Sequence, residues 1–283
     1  MLIRLGYDIQ FDVPAPLAFV AQLHVHSSRV ADLREPDVLH VESDGSLTPD
    51  NAPADPGSGQ LTTHEYSDTY GNICTRFYAP TGRLRLWSSS LIEDSGLPDV
   101  VNWGAQEIPP QELPDDVLVF LLNSRYCETD QLGAVAYELF GNEAPGWNRV
   151  QAVCNWVNAK ITFNYGMTRP SKTALDVFTE RTGVCRDFQH LAITFCRSLN
   201  IPARYVAGYL GDIGVPLRLP MDFSAWFEVY LDHKWWAFDA RNNQPRIGRV
   251  LMATGRDAAD VAFLTSFGSS TLVKFEVTTD EVK

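Results

Sequence analysis

The spacing of apolar residues in this 283-residue chain changes near residues 120–130. Before that point apolar and polar residues alternate, as in the segment LIRLGYDIQF at 2–11, and turn signals separate the short segments. A period of two is typical of strands that bury one face. After about residue 130 apolar residues return every three or four positions, which is typical of amphipathic helices. The pattern therefore predicts a β-sandwich domain over 1–125 and a second domain over 126–283.

The second domain begins with helices and continues with strands. The apolar spacing predicts helices at about 131–141, 147–161 and 173–182, and a fourth helix that opens at Cys185 and runs to about Leu199. Strand-forming segments follow, among them a hairpin that turns at Asp232 and His233. Helices followed by strands predict an α+β fold with an antiparallel sheet. In the first domain, a stretch rich in Gly, Pro and Asp at 44–60 predicts a long loop.

Charge and composition exclude several classes of function. The chain has 23 Lys and Arg against 35 Asp and Glu, a net charge of -12, so nucleic acid is not expected as a partner. We see neither a secretory signal nor a membrane-spanning segment, and we expect no membrane partner. The five cysteines show no CxxC pairing and leave an odd one over. This usage favours a reduced, cytoplasmic setting.

Cys185 is the residue whose position points most clearly to chemistry. A thiol at the start of a helix lies at the positive end of the helix dipole and near unpaired backbone N–H groups. Both favour the thiolate, and the same N–H groups could stabilise an oxyanion. The alternative interpretation is a small buried residue that packs the helix against the sheet. Cys196, further along the same helix, has the apolar neighbours of a core residue.

Four motifs in order, GVCRD at 183–187, IPAR at 201–204, AW at 225–226 and WWAFD at 235–239, resemble the core of the transglutaminase-like superfamily. The resemblance covers about 145–245 and is strongest to bacterial cysteine-protease-like members with an N-terminal β-sandwich. It implies a papain-related core with a Cys–His–Asp triad. The cysteine carries over to Cys185 and the aspartate to Asp239. The position of the histidine holds Ser224.

This serine leaves two main hypotheses for the function. In the first, Cys185 attacks a peptide or amide and forms a thioester, with Asp239 as the orienting residue and a rate impaired because a hydroxyl at Ser224 is too weak a base. In the second, the protein is an inactive homologue that binds a peptide or serves as a scaffold. A serine introduced in the laboratory to trap an inactive form is a third interpretation. The resemblance implies no metal and no organic cofactor, and it leaves the substrate and the oligomeric state open.

The histidines of the chain do not supply an evident replacement base. The six are His24, His26, His40, His64, His190 and His233. His190 lies about 140° round the helix from Cys185 and should point away from the thiol. His24 and His26 share one strand face and could form half of a metal site, but no third ligand lies near them in sequence. We therefore assign no replacement base from the sequence.

Overall fold

A computed structural model describes residues 1–44 and 59–282. The described residues form sixteen strands and four α-helices. The strands are β1 (Leu2–Val13), β2 (Leu17–Ala21), β3 (Leu33–Glu35), β4 (His40–Ser43), β5 (Gly59–Gln60), β6 (Thr63–Ser67), β7 (Ile73–Ala79), β8 (Gly82–Glu93), β9 (Thr162–Phe163), β10 (Thr182–Gly183), β11 (Ala203–Leu210), β12 (Ser224–Leu231), β13 (Lys234–Phe238), β14 (Arg249–Gly255), β15 (Leu264–Ser266) and β16 (Thr271–Val282). The helices are α1 (Thr129–Phe140), α2 (Trp147–Lys160), α3 (Ala174–Glu180) and α4 (Cys185–Ser198). The predicted α+β class and all four predicted helices are confirmed, whereas the predicted loop at 44–60 lies almost wholly outside the described residues.

Two sheets form the strand-rich part of the molecule, which we call the two-sheet unit. One sheet has the order β16-β1-β8-β4-β5, with β3 also paired to β8, and the other has the order β15-β2-β7-β6. Strand β1 shows why they pack: Ile3, Leu5, Tyr7 and Ile9 alternate along it, and all are buried. Because alternate residues of a strand share one face, this row faces the side chains of the other sheet in a common apolar core.

The last two strands of the chain belong to this two-sheet unit. Strand β16 pairs antiparallel with β1, from Leu2 opposite Val282 to Asp12 opposite Thr271, and β15 pairs with β2. The predicted strand at 271–282 is confirmed, but its partner is the first strand of the chain. Residues 264–282 thus join the sheets built by residues before 94, while the predicted domain limit at 125/126 stays a prediction.

The remaining elements form a core around α4. A four-stranded antiparallel sheet, in the order β13-β12-β11-β14, packs against α4, and helices α1, α2 and α3 pack on that same helix. The predicted hairpin joins β12 to β13, and Asp232 and His233 both have positive φ, as a two-residue hairpin turn requires. In the part of the chain that the structure describes, no helix is both long and apolar enough to cross a membrane.

Candidate active site

The start of α4 is fixed by a close contact between Gly183 and Asp187. The Asp187 carboxylate accepts a hydrogen bond of 3.0 Å from the backbone N–H of Val184, the residue that precedes the helix. Asp187 is fully buried, and a Cβ on Gly183 would lie 2.6 Å from the Cβ of Asp187. Glycine is therefore the residue that permits this approach. As a result Cys185 occupies the first position of the helix, as the sequence predicts.

Cys185 is half-buried and lines a cavity of about 530 Å³, which we call the thiol cavity. On the side of the core sheet the cavity is lined by Tyr205, Ser224 and Ala225, among others. The two-sheet unit and the segment that leads into it contribute an apolar wall. The wall consists of Phe263, Leu264, Leu272 and Phe275. The thiol cavity therefore lies where the core and the two-sheet unit meet.

The surroundings of the Cys185 thiol act on its pKa in both directions. Burial raises its pKa to about 11, and the nearby Asp222 carboxylate adds to the rise. The Arg241 guanidinium and hydrogen bonds with the backbone of Arg186 and Ala225 lower the pKa, but not enough to offset burial. With a pKa of about 11, roughly one thiol in ten thousand is ionised at pH 7. The position at the helix start favours the thiolate, whereas loss of water on burial opposes it.

Asp239 follows β13 and is held in a network of its own. One of its oxygens accepts hydrogen bonds from the backbone N–H groups of Arg241 and Asn242, at 2.9 and 3.0 Å. The other accepts from the side chains of Asn242 and Arg249, at 2.8 and 3.1 Å. Burial raises the pKa of Asp239, but Arg249 and Asn242 outweigh this effect and hold the pKa below its usual value.

Asp239 lines a different cavity, of about 450 Å³, together with Arg249 and Asp99. The structure thus brings Cys185 and Ser224 into one cavity and places Asp239 on another.

Gln189 hydrogen-bonds with one residue of each cavity, and the sequence analysis missed it. It lies one turn after Cys185 on α4 and is fully buried. Its side-chain N–H group donates to the carbonyl of Ala225 at 3.2 Å and to Asp239 at 3.1 Å, and its side-chain oxygen accepts from the backbone N–H of Ala240 at 3.1 Å. The available signal was a polar residue four positions after the cysteine, on a helix face that is otherwise apolar.

Two charged residues beside the thiol were also missed. Asp222, two residues before Ser224, lines the thiol cavity and an adjoining small pocket of about 90 Å³. Arg241 lines that small pocket, and its guanidinium lies 4.1 Å from the centre of the Phe163 ring. Loss of water raises the pKa of Asp222, while a backbone hydrogen bond and Arg241 oppose the rise. An aspartate that precedes a strand and an arginine that follows one are common in sequences. Neither pattern indicates that the residue lies beside the thiol.

Within residues 1–44 and 59–282, no histidine lines the thiol cavity. His190 is fully buried, stacks on Tyr126 with ring centres 5.0 Å apart, and accepts a hydrogen bond from the backbone N–H of Ala258. Burial keeps the pKa of His190 well below its usual value, so this ring is a neutral packing group. His24 bonds to Thr75 at 2.9 Å and His26 to Ser28 at 2.9 Å. No group of three or more His, Cys, Asp or Glu side chains among the described residues could hold a metal ion.

Comparison with known proteins identifies the family. The sequence model of the transglutaminase-like superfamily matches residues 133–240. A solved structure from Cytophaga hutchinsonii, described as a putative cysteine protease, is 30% identical, covers 100% of this chain and 91% of its own, and superimposes with a TM-score of 0.82. An uncharacterized protein of Mycobacterium leprae is 30% identical over 71% of this chain and 74% of its own length. An uncharacterized protein of Mycobacterium tuberculosis is 29% identical over 76% of this chain and 73% of its own length. The chain belongs to the transglutaminase-like superfamily.

Proposed function

We propose that the protein is a cysteine-dependent amidase or peptidase of low intrinsic rate, which acts through a thioester on Cys185. The observation that carries this proposal is the placement of the Cys185 thiol at the start of α4, facing a cavity of about 530 Å³. Cys74, Cys127, Cys154 and Cys196 are all buried, and Cys185 alone of the five cysteines is partly exposed.

The chemistry of the site follows from its donors and its charges. The thiol sulfur would attack the amide carbon while the carbonyl oxygen takes up negative charge. The backbone N–H of Arg186 hydrogen-bonds with the thiol and lies in the first turn of the helix, where N–H groups lack helical partners. Such groups stabilise an oxyanion next to the attacked carbon. The apolar wall favours a substrate whose acyl part carries an apolar side chain.

The rate would be low because ionisation of the thiol is unfavourable. Ser224 has no basic nitrogen, and Asp239 is engaged by Arg249 and Asn242. A triad histidine normally supplies both the base and the acid for acyl transfer. These facts also favour the second candidate function, a peptide-binding homologue that does not turn its ligand over.

Ser224→His separates the two functions. For an amidase, a histidine in the thiol cavity should raise hydrolysis of a short leucyl p-nitroanilide by about 100-fold or more, since general base catalysis contributes factors of that order. The gain should vanish in Ser224→His/Cys185→Ala. Ser224→Gln is the matched control, because it adds a side chain of similar size without a base. Equal rates in all four proteins, with retained peptide binding, would favour the binding module and overturn the proposal.

A further inference from the structure

Asp222 is held in place by its neighbour in the chain. Phe223 is buried and contacts Tyr209, Phe263 and Phe275, with ring centres 5.0 to 5.8 Å apart. This anchor lies between the core sheet and the two-sheet unit, directly beside the thiol cavity. Asp222 precedes it, and Ser224 follows it at the start of β12. The anchored Phe223 therefore holds the backbone of Asp222 at the edge of the thiol cavity.

The Asp222 carboxylate has the surroundings of a proton carrier. It lines the thiol cavity together with Cys185, and Asp222 is exposed to solvent. Its charge acts on the Cys185 thiol, and so does that of Arg241. The other titratable or charged groups around the adjoining small pocket are Tyr165, Asp212, Arg218 and Arg246. Arg246 is already paired with Asp212 at 3.1 Å.

We infer that Asp222 carries the proton between the Cys185 thiol and the leaving amine, the task that a triad histidine performs. This inference rests on the proposed function, since it assigns a residue to the same reaction. As the bond from sulfur to the carbonyl carbon forms, the thiol proton passes to the Asp222 carboxylate and the carbonyl π electrons move to oxygen. When the C–N bond breaks, the Asp222 carboxyl returns that proton to the amine nitrogen. In the second half water attacks the thioester, gives one proton to Asp222, and the Cys185 sulfur leaves and takes that proton back.

A carboxylate is a weaker proton acceptor for this thiol than an imidazole. The thiol pKa of about 11 lies far above that of an aspartate. The raised pKa of Asp222 narrows this gap and strengthens the carboxylate as a base. A slow but complete acyl transfer is the expected consequence, which agrees with an enzyme that retains its nucleophile without its histidine.

The test compares two leaving groups on the same acyl part. The probes are the p-nitroanilide and the p-nitrophenyl ester of one short leucyl peptide, with iodoacetamide labelling of Cys185 as the measure of the thiolate. Only the anilide needs a proton on its leaving group. Asp222→Asn should lower kcat/KM for the anilide by about 100-fold, within the usual range for general acid–base catalysis. It should not lower the labelling rate, because the variant loses a negative charge beside the thiol. The ester should lose less activity than the anilide, because it needs Asp222 only as the base and not as the acid that protonates the leaving group.

Two control variants distinguish a role of the Asp222 carboxyl from a general effect of charge. Asp222→Glu retains the carboxyl and should recover part of the anilide activity. Asp116→Asn removes an exposed charge outside the thiol cavity and should leave both rates unchanged. Equal loss on ester and anilide, an unchanged anilide rate in Asp222→Asn, or a wild-type chain that cleaves only the ester would overturn the role of Asp222. Ester cleavage that persists in Cys185→Ala would instead refute the proposed function itself.

Discussion

Arg249→Met removes the cation that holds Asp239 in place. The Arg249 side chain is only 7% exposed and donates to Asp239 at 3.1 Å and to Asp99 at 2.8 Å. Its guanidinium also lies 5.1 Å from the centre of the Trp226 ring. Removing one partner of a buried ion pair costs about 3–5 kcal/mol, because the remaining charge stays buried without compensation. Asp239 is 2% exposed but Asp99 is 18% exposed, so we expect the low end, about 3 kcal/mol.

Urea unfolding at pH 7 measures this loss directly, provided that the slope m is unchanged. Arg256→Met is the matched control, since Arg256 is 40% exposed and pairs with Asp260 at 2.8 Å. Such an exposed pair contributes about 1 kcal/mol at most. If the two variants lose the same free energy of unfolding, the account of Asp239 as a residue locked by Arg249 is refuted.

The same variant has a predicted dependence on pH. The pKa of Asp239 is lower in the folded protein than the usual 3.8, so its ionised form stabilises the fold at neutral pH. That contribution is lost as the pH falls below 3.8 and through the folded-state pKa. The difference in unfolding free energy between wild type and Arg249→Met should therefore shrink below about pH 4. A difference that grows on acidification would contradict this sign.

Three further changes test separate parts of the site. Arg241→Met should raise the pKa of the Cys185 thiol further and slow its alkylation at pH 9, because the positive charge that favours the thiolate is gone; faster alkylation would contradict the electrostatic account. Gly183→Ala should destabilise the protein by about 1–3 kcal/mol in urea, since its Cβ would overlap that of Asp187, and an unchanged midpoint would show that the helix start can shift. Leu264→Asp should lower kcat/KM for a leucyl substrate about tenfold while a glycyl substrate changes little, and equal losses would argue against the apolar wall as a subsite.

The sequence predicted local features well and their partners less well. The helix that begins at Cys185 follows from its apolar spacing and from the residues that precede it, which are local signals. The strand at 271–282 was equally predictable from alternation. Its pairing with Leu2–Val13 was not predictable, because alternation alone does not identify the partner strand.

The candidate site shows the same limit. The sequence motifs predict that Cys185, Ser224 and Asp239 share one site. In the structure only Cys185 and Ser224 line the same cavity. Asp239 accepts a hydrogen bond from Arg249, which lies ten residues later in the chain. No sequence motif indicates this pairing. The thiol pKa depends on burial between two units of the fold, which no local pattern reports.

The measurement that tests the central claim most directly is mass-spectrometric trapping of an acyl group on Cys185. The protein is mixed with the p-nitrophenyl ester of a short leucyl peptide, quenched in acid and digested. The mass of each cysteine-containing peptide is then measured. The account predicts a thioester on Cys185 that is absent in Cys185→Ser, while the buried cysteines Cys74, Cys127, Cys154 and Cys196 stay unmodified. An unmodified Cys185, or an equal adduct on the buried cysteines, would contradict the claim that this thiol is the nucleophile of the thiol cavity.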